Sequence, residues 1–275
     1  MDHKTDEYLE FEFSANIDPN MVAKKARVNA LRMTNASKSS HIGSCLSVID
    51  ILTAAFFLKK TNRLHKDDSI ILSKGHAAAG LYAVLNAFGE IGDSEINDYG
   101  KDGSKLYGHV NHDVSNLIPL STGSLGHGLP FGLGISISMK RRKSESKSIV
   151  VISDGECDEG TTWESALLAS HNKLNNLILI IDNNGIQSLG LTKDTLNLEP
   201  LIDKWIAFGW EVRNVNGHEI VGLMKAMEEP SDLPLCIIAN TIKGKGVDFM
   251  ENSIEWHYKS PNDLELENSI SQVMS

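Results

Sequence analysis

Five short runs of aliphatic and β-branched residues punctuate the chain: Ser69–Leu72, Ser148–Ser153, Leu177–Asp182, Trp210–Val215 and Leu235–Thr241. Most are almost continuously apolar, which predicts strands buried on both faces rather than half-exposed strands that alternate. Longer amphipathic stretches separate them, predicting helices at about Asn20–Asn35, Ser47–Leu58, His76–Phe88, Gly128–Lys140, Thr161–His171, Leu201–Phe208 and Glu219–Ala226. An acidic segment, Asn262–Val273, reads as a last helix. Strands that alternate with helices predict an α/β fold with a mainly parallel central sheet, covered by helices on both faces. Neither an internal repeat nor a low-complexity linker marks a boundary, so residues 1–275 are expected to form a single domain.

One stretch breaks this rhythm. The glycine-rich segment from Gly100 to Gly134 reads as a long loop running into a helix, and loops of that length in compact domains are usually functional.

Composition narrows the function classes. The net charge of −10 makes a nucleic-acid backbone or an anionic membrane a poor partner for the average surface. The basic run Lys140-Arg141-Arg142-Lys143 suits the C-terminal end of a helix and the loop after it. Three scattered cysteines, Cys45, Cys157 and Cys236, form neither a disulfide framework nor a zinc motif. The acidic stretch Met1–Phe13 lacks the basic start and apolar run of a signal peptide, and apolar runs such as Leu177–Ile181 fall short of the ~20 residues a spanning helix needs. A cytoplasmic protein is the expectation.

The candidate chemistry sits at strand ends. Ile149-Val150-Val151-Ile152 leads through Ser153 into Asp154-Gly155-Glu156, which places Asp154 at the carboxyl end of a buried strand, where open α/β sheets bind ligands. A helix and the next strand then lead to Asp182-Asn183-Asn184. A crossover of that length returns the chain alongside its start, so both polar sites can face one point. Aspartate and asparagine oxygens are hard ligands suited to Mg²⁺, which completes its octahedron with phosphate oxygens and water. A glycine at 155 lets the backbone approach a diphosphate closely. Taken alone, Asp154 also reads as a strand-end turn residue and Asn184 as a left-handed turn residue.

Asp154-Gly155 followed by Asn183-Asn184 resembles the signature of thiamine-diphosphate enzymes. Further blocks narrow the resemblance to transketolases: Ser40-His41-Ile42-Gly43, Leu72-Ser73-Lys74-Gly75-His76-Ala77, Gly108-His109, Ser121-Thr122-Gly123-Ser124-Leu125-Gly126, Trp163-Glu164 and Trp256-His257. It runs from about Ala30 to Pro261 and implies a three-layer α/β/α fold that binds thiamine diphosphate and Mg²⁺. It also implies that Asp154, Asn184 and the carbonyl of Ile186 coordinate the metal. Gly155, Glu156 and Asn184 would contact the cofactor, with Gly123, Ser124 and Leu125 on its aminopyrimidine side. Glu159 and Glu164 would lie near the cofactor and an interface between chains.

A single histidine is more often structural than catalytic, and His3, His65, His112, His127, His171 and His218 are read that way. The resemblance implies otherwise for four. His41 and His257 would bond substrate oxygens at the reacting carbon and its neighbouring hydroxyl. His76 and His109 would line the reactive face of the cofactor and help move protons, a role suited to imidazole near neutral pH.

Three positions depart from the family pattern. Ser153 stands where glycine is usual, which a negative φ would tolerate; His127 replaces a usual glutamine; Pro130 falls in a predicted first helical turn. In length, the chain matches only the first part of a full transketolase. A second, pyrimidine-binding polypeptide is therefore the expected partner, giving a heterotetramer that moves a two-carbon ketol unit between sugars. Two alternatives stand beside this reading: one half of a thiamine-diphosphate enzyme that uses pyruvate or another 2-oxoacid, and a non-catalytic scaffold subunit.

Overall fold

The computed structural model describes residues 13, 14 and 16–275; most of the acidic Met1–Phe13 stretch, with His3, lies outside the described residues. The predicted strands form one sheet of β1 (Ser69–Leu72), β2 (Ser148–Ser153), β3 (Leu177–Asn183), β4 (Glu211–Asn216) and β5 (Leu235–Asn240). Their spatial order is β1-β2-β3-β5-β4 and every pairing is parallel. Parallel neighbours require helical crossovers, and these cover both faces.

Side-chain alternation divides the core in two. Ile149, Val151, Ile178, Ile180 and Ile237 point to one face, beneath helices α1 (Pro19–Ser37), α2 (Ile42–Lys60) and α3 (Ala78–Ala87). Val150, Ile152, Leu179, Ile181 and Ile238 point to the other, beneath α4 (Gly128–Arg141), α5 (Gly160–His171) and α6 (Leu201–Ala207). On the first face α7 (Ile220–Glu228) and the C-terminal α8 (Asp263–Met274) complete the layer. The register sets Ile70 against Ile149 and Ile149 against Ile178, so each face is a continuous apolar plane.

Local chemistry fixes the ends. Asp18 caps α1, accepting from the Asn20 amide at 2.9 Å, with Pro19 in the first turn, where its missing N–H loses no helical bond. Asn262 and Glu265 form a capping box at the start of α8. The basic run does fall at the end of α4 and in the turn beyond it. Ser153 is the last residue of β2 and lies outside the positive-φ set, so its side chain is accommodated without backbone strain.

One expectation is corrected. The helix predicted at Ser47–Leu58 begins at Ile42 and runs nineteen residues, long and apolar enough to cross a membrane by composition alone. It is instead buried inside the protein, walled by α1, α3 and α7. A helix buried all round shows no amphipathic stripe by which its start could be marked.

Candidate active site

All five strands run the same way, so their carboxyl ends share one edge. From that edge rise Ser73-Lys74 after β1, Asp154 after β2, Asn184 after β3 and Thr241 to Lys243 after β5. They enclose an open cavity of about 250 Å³ lined by, among others, His41, His76, His109, His257, Lys74 and Lys243.

The two polar sites separated by the β2–β3 crossover do meet. Asp154 Oδ2 accepts from the Gly185 amide at 2.7 Å and from Thr192 Oγ1 at 3.0 Å, and its Oδ1 accepts from the Gly155 amide at 2.8 Å. Asn184 Oδ1 accepts from the Ile186 amide at 3.1 Å. Among the described residues no three His, Cys, Asp or Glu side chains gather to hold a metal. The local donors are instead one carboxylate, one amide oxygen and the Ile186 carbonyl: hard oxygens too few for an octahedron, as Mg²⁺ prefers when phosphate completes its shell.

Electrostatics fit the same occupant. Burial, then the neighbouring Asp182, push the Asp154 carboxyl above its usual range. Burial, then Lys74, pull the Lys243 ammonium down to about 8. An under-neutralised carboxylate and a disfavoured ammonium line one cavity, and a dication bridged to a diphosphate would relieve both.

The four histidines form one cluster. The His41 ring lies 5.3 Å from His76, 6.0 Å from His109 and 4.9 Å from His257, centroid to centroid. His41 sits between α1 and α2 at φ 74°, a left-handed conformation that a non-glycine side chain adopts at an energetic cost and that clusters at functional sites. It is pinned there because its amide donates to the His257 carbonyl at 3.0 Å. His76 follows Gly75, whose added Cβ would lie 2.2 Å from the Thr122 carbonyl oxygen. That close approach lets the long loop dock, and it brings in His109, whose carbonyl accepts from Tyr82 Oη at 3.0 Å. The predicted loop thus forms one wall.

Burial is the largest cause of depression for three of the rings. His41 falls to about 4, with His109 next in effect; His257 falls to about 3, with Lys243 next; His76 falls well below 6.5, with Lys74 next. These imidazoles are neutral near pH 7. Lys243 Nζ donates to His257 Nδ1 at 3.1 Å, so that ring carries its proton on Nε2.

Three expected cofactor residues lie outside the cavity wall of this chain. Glu156 is fully enclosed and outside the cavity wall; its Oε1 accepts from Ser73 Oγ and, at 2.8 Å, from the Gly126 amide, so it orders the loop from behind. Ser124 and Glu159 are exposed and do not line the cavity, whereas Gly123 and Leu125 do. Glu164 is exposed on α5, away from the cavity wall, and His127 is exposed.

Sequence reasoning missed Lys74, Lys243, Ser44, Gln187 and Ser188, all in the cavity wall. Lys74 and Lys243 are also among the largest fully buried side chains. Their available signal was position: each follows a buried strand and adjoins glycine, at Lys74-Gly75 and Lys243-Gly244.

The family described as transketolase, thiamine diphosphate binding domain, matches residues 18–269. The chain is 39% identical over 271 residues to one of the subunits of the apulose-4-phosphate transketolase of Actinobacillus succinogenes, covering 94% of this chain and 98% of that protein. It is 35% identical over 225 residues to the 6-deoxy-6-sulfo-D-fructose transketolase subunit SqwG of a Clostridium strain, covering 79% and 82%. Among solved structures, transketolase from Campylobacter jejuni superposes with a TM-score of 0.85 at 26% identity, covering 93% of this chain and 42% of that one. The chain thus spans about two fifths of the length of that full transketolase.

Proposed function

Because this chain belongs to the transketolase family, we infer that it is the diphosphate-binding subunit of a split transketolase, residues 1–275 acting as one unit. The carrying observation is the convergence of Asp154, Asn184, Lys243 and the four-histidine cluster on one cavity at the sheet edge. Relatives matched over nearly their whole length are named as single subunits of a transketolase, which supports a separate partner polypeptide. Two copies of each, a heterotetramer, and phosphorylated or sulfonated sugars as the substrate class complete the reading.

Asp154, Asn184 Oδ1 and the Ile186 carbonyl would hold Mg²⁺, and the Lys243 ammonium and the Gly155 backbone would meet the diphosphate. Thiamine diphosphate, when bound, supplies the nucleophilic carbon and the electron sink for cleaving a carbon–carbon bond. This chain orients the sugar and handles protons. His257, protonated on Nε2, donates to a substrate oxygen and steadies charge as it grows there. His41, at the centre of the cluster, takes or returns the hydroxyl proton as a neutral base. His76 and His109 close the wall beside the reacting centre, and Gly123 and Leu125 offer backbone and an apolar side chain to the aromatic end of the cofactor.

The test mixes this chain with its partner polypeptide, a ketose donor, an aldose acceptor, Mg²⁺ and thiamine diphosphate. Ketol transfer in the mixture alone, abolished by Asp154→Ala, is the expected result. Transfer by this chain unaided would refute the split arrangement, and cofactor binding with pyruvate turnover but no ketol transfer would refute the reaction.

A further inference from the structure

A second cluster of ionisable groups lies outside the cavity wall, and the chemistry above makes no use of it. Asp50, on α2, is buried and holds two nitrogen groups through the same oxygen. Arg27 Nη2 of α1 reaches Asp50 Oδ2 at 2.5 Å, and His218 Nδ1, from the turn between β4 and α7, lies 2.7 Å from it. Burial tends to push the Asp50 carboxyl up, but Arg27 and His218 outweigh it and hold the group below the usual range. Asp50 is therefore an anion, and a ring nitrogen in contact with it carries a proton. With Nδ1 protonated in the neutral ring, Nε2 keeps a free lone pair, and the amide of Ile242 donates to it at 2.8 Å.

Ile242 precedes Lys243. Neighbouring amides of this loop use backbone carbonyls: Thr241 donates to Asn183 at 3.1 Å and Gly244 to Gly43 at 3.0 Å. At Ile242 a side chain takes that place, and its acceptor character depends on a proton held elsewhere by Asp50. The Lys243 side chain then runs inward, donating to the Ile186 carbonyl at 2.9 Å.

We propose that Asp50 and His218 are positioning residues for the Lys243 ammonium. Asp50 fixes the His218 tautomer, His218 fixes the Ile242 amide, and the loop thereby aims Lys243 at the diphosphate of the cofactor. This rests on the functional reading above, in which Lys243 meets that diphosphate. Arg27 neutralises the Asp50 charge from α1 and contributes to stability.

Two near-isosteric variants separate the two ring nitrogens. In His218→Gln the amide oxygen reaches the Nε2 position and can accept from Ile242; in His218→Asn the amide nitrogen sits at Nδ1, faces Asp50, and leaves Ile242 unpaired. Thiamine diphosphate is titrated calorimetrically, with Mg²⁺, into the full chain together with its partner polypeptide. The expected result is about a tenfold weaker Kd for His218→Asn, the equivalent of one buried hydrogen bond, with most of that affinity restored in His218→Gln. In a Lys243→Met background the His218→Asn effect should vanish, because coupled residues are not additive. An equal His218→Asn loss with and without Lys243, or no loss at all, overturns the proposal. Failure of the unsubstituted complex to bind the cofactor overturns the functional reading instead.

Discussion

Lys74 and Asp182 form an ion pair closed to solvent at both ends: Nζ lies 2.5 Å from Oδ2, and the side chains are 1% and 0% exposed. Burial pushes the Asp182 carboxyl up, but Lys74, with Ser47 and Thr241 donating their hydroxyls, outweighs it and holds the group below the carboxylate range. The pair ties the end of β1 to β3 at the cavity. Removing one partner strands the other charge. Lys74→Met is expected to cost roughly 3–5 kcal/mol in chemical denaturation, and Lys74→Met/Asp182→Asn to recover a large part of it. A double variant as unstable as the single one would show that the pairing itself contributes little.

Glu156 gives a second prediction. Burial is the largest effect on its carboxyl and pushes it above the usual range, against the Ser73 and Gly126 bonds, while Oε2 is buried without a partner among the described residues. That oxygen is where a retained proton would sit. Glu156→Gln, the uncharged mimic, should therefore change stability by less than about 1 kcal/mol, whereas Glu156→Ala, which orphans the Gly126 amide, should cost about 1–3 kcal/mol. A large penalty for the glutamine variant would mean that the carboxylate is ionised in the folded protein.

Acid sensitivity follows from the histidine cluster. His41 and His257 titrate near 4 and 3 in the folded chain against an ordinary 6.5. Between those values the unfolded chain binds more protons, so stability rises with pH across the window. The contribution of the neutral rings is complete above about 6.5 and is lost as pH falls toward their folded values. Melting temperatures of the cofactor-free chain from pH 7 to 4.5 should decline, and His41→Asn/His257→Asn should decline less steeply. Parallel pH profiles for the two proteins would show that the rings are not buried as neutral groups.

The sheet was legible in the sequence because strands buried on both faces, such as Ile149 to Ile152, leave continuous apolar runs. That Asp154 and Asn184 share one edge of the sheet was legible because a strand–helix–strand crossover brings successive strand ends together. Lys74 and Lys243 were not. A lysine reads as a solvent-facing residue unless its burial is known, and burial here depends on a partner 108 residues away for Lys74 and on a carbonyl 57 residues away for Lys243. His218 escaped for the same reason, its partner Asp50 lying 168 residues before it. Glu156, expected at the cofactor, sits beneath the loop: Asp154 turns into the cavity, but the short turn Gly155–Asp158 sends the Glu156 carboxylate to the Gly126 amide.

Gly75 tests how far the histidine wall depends on backbone contact. A Cβ at this position would meet the Thr122 carbonyl at 2.2 Å and the Gly123 amide nitrogen at 2.7 Å, and backbone atoms cannot swing away as a side-chain end can. Gly75→Ala should push the loop that carries His109, Gly123 and Leu125 off the sheet edge. Expected are a destabilisation of about 1–3 kcal/mol, as for overpacked sites, and an increased hydrogen-exchange rate at Val110 and Thr122. The amides of these two residues now donate to the carbonyls of Gly75 and Val110. Unchanged exchange there would place the adjustment elsewhere and leave the wall independent of Gly75.

His257 separates cofactor binding from transfer. Its Nδ1 accepts from Lys243 at 3.1 Å, and its carbonyl accepts from the His41 amide at 3.0 Å, so two of its contacts are structural and only Nε2–H remains for a substrate. Asparagine places an amide oxygen where Nδ1 stood and keeps the backbone carbonyl, so His257→Asn preserves both structural contacts while deleting the outward donor. In the assembled enzyme, thiamine diphosphate affinity should then stay within about threefold of the parent, while kcat/KM for ketol transfer drops by ~10²–10³, the usual consequence of losing one donor to a developing oxyanion. Because the lost bond strengthens as charge grows, kcat should carry most of that drop and KM little. Equal losses in cofactor affinity and transfer would instead assign His257 to holding Lys243, and the donor role would pass to another member of the cluster.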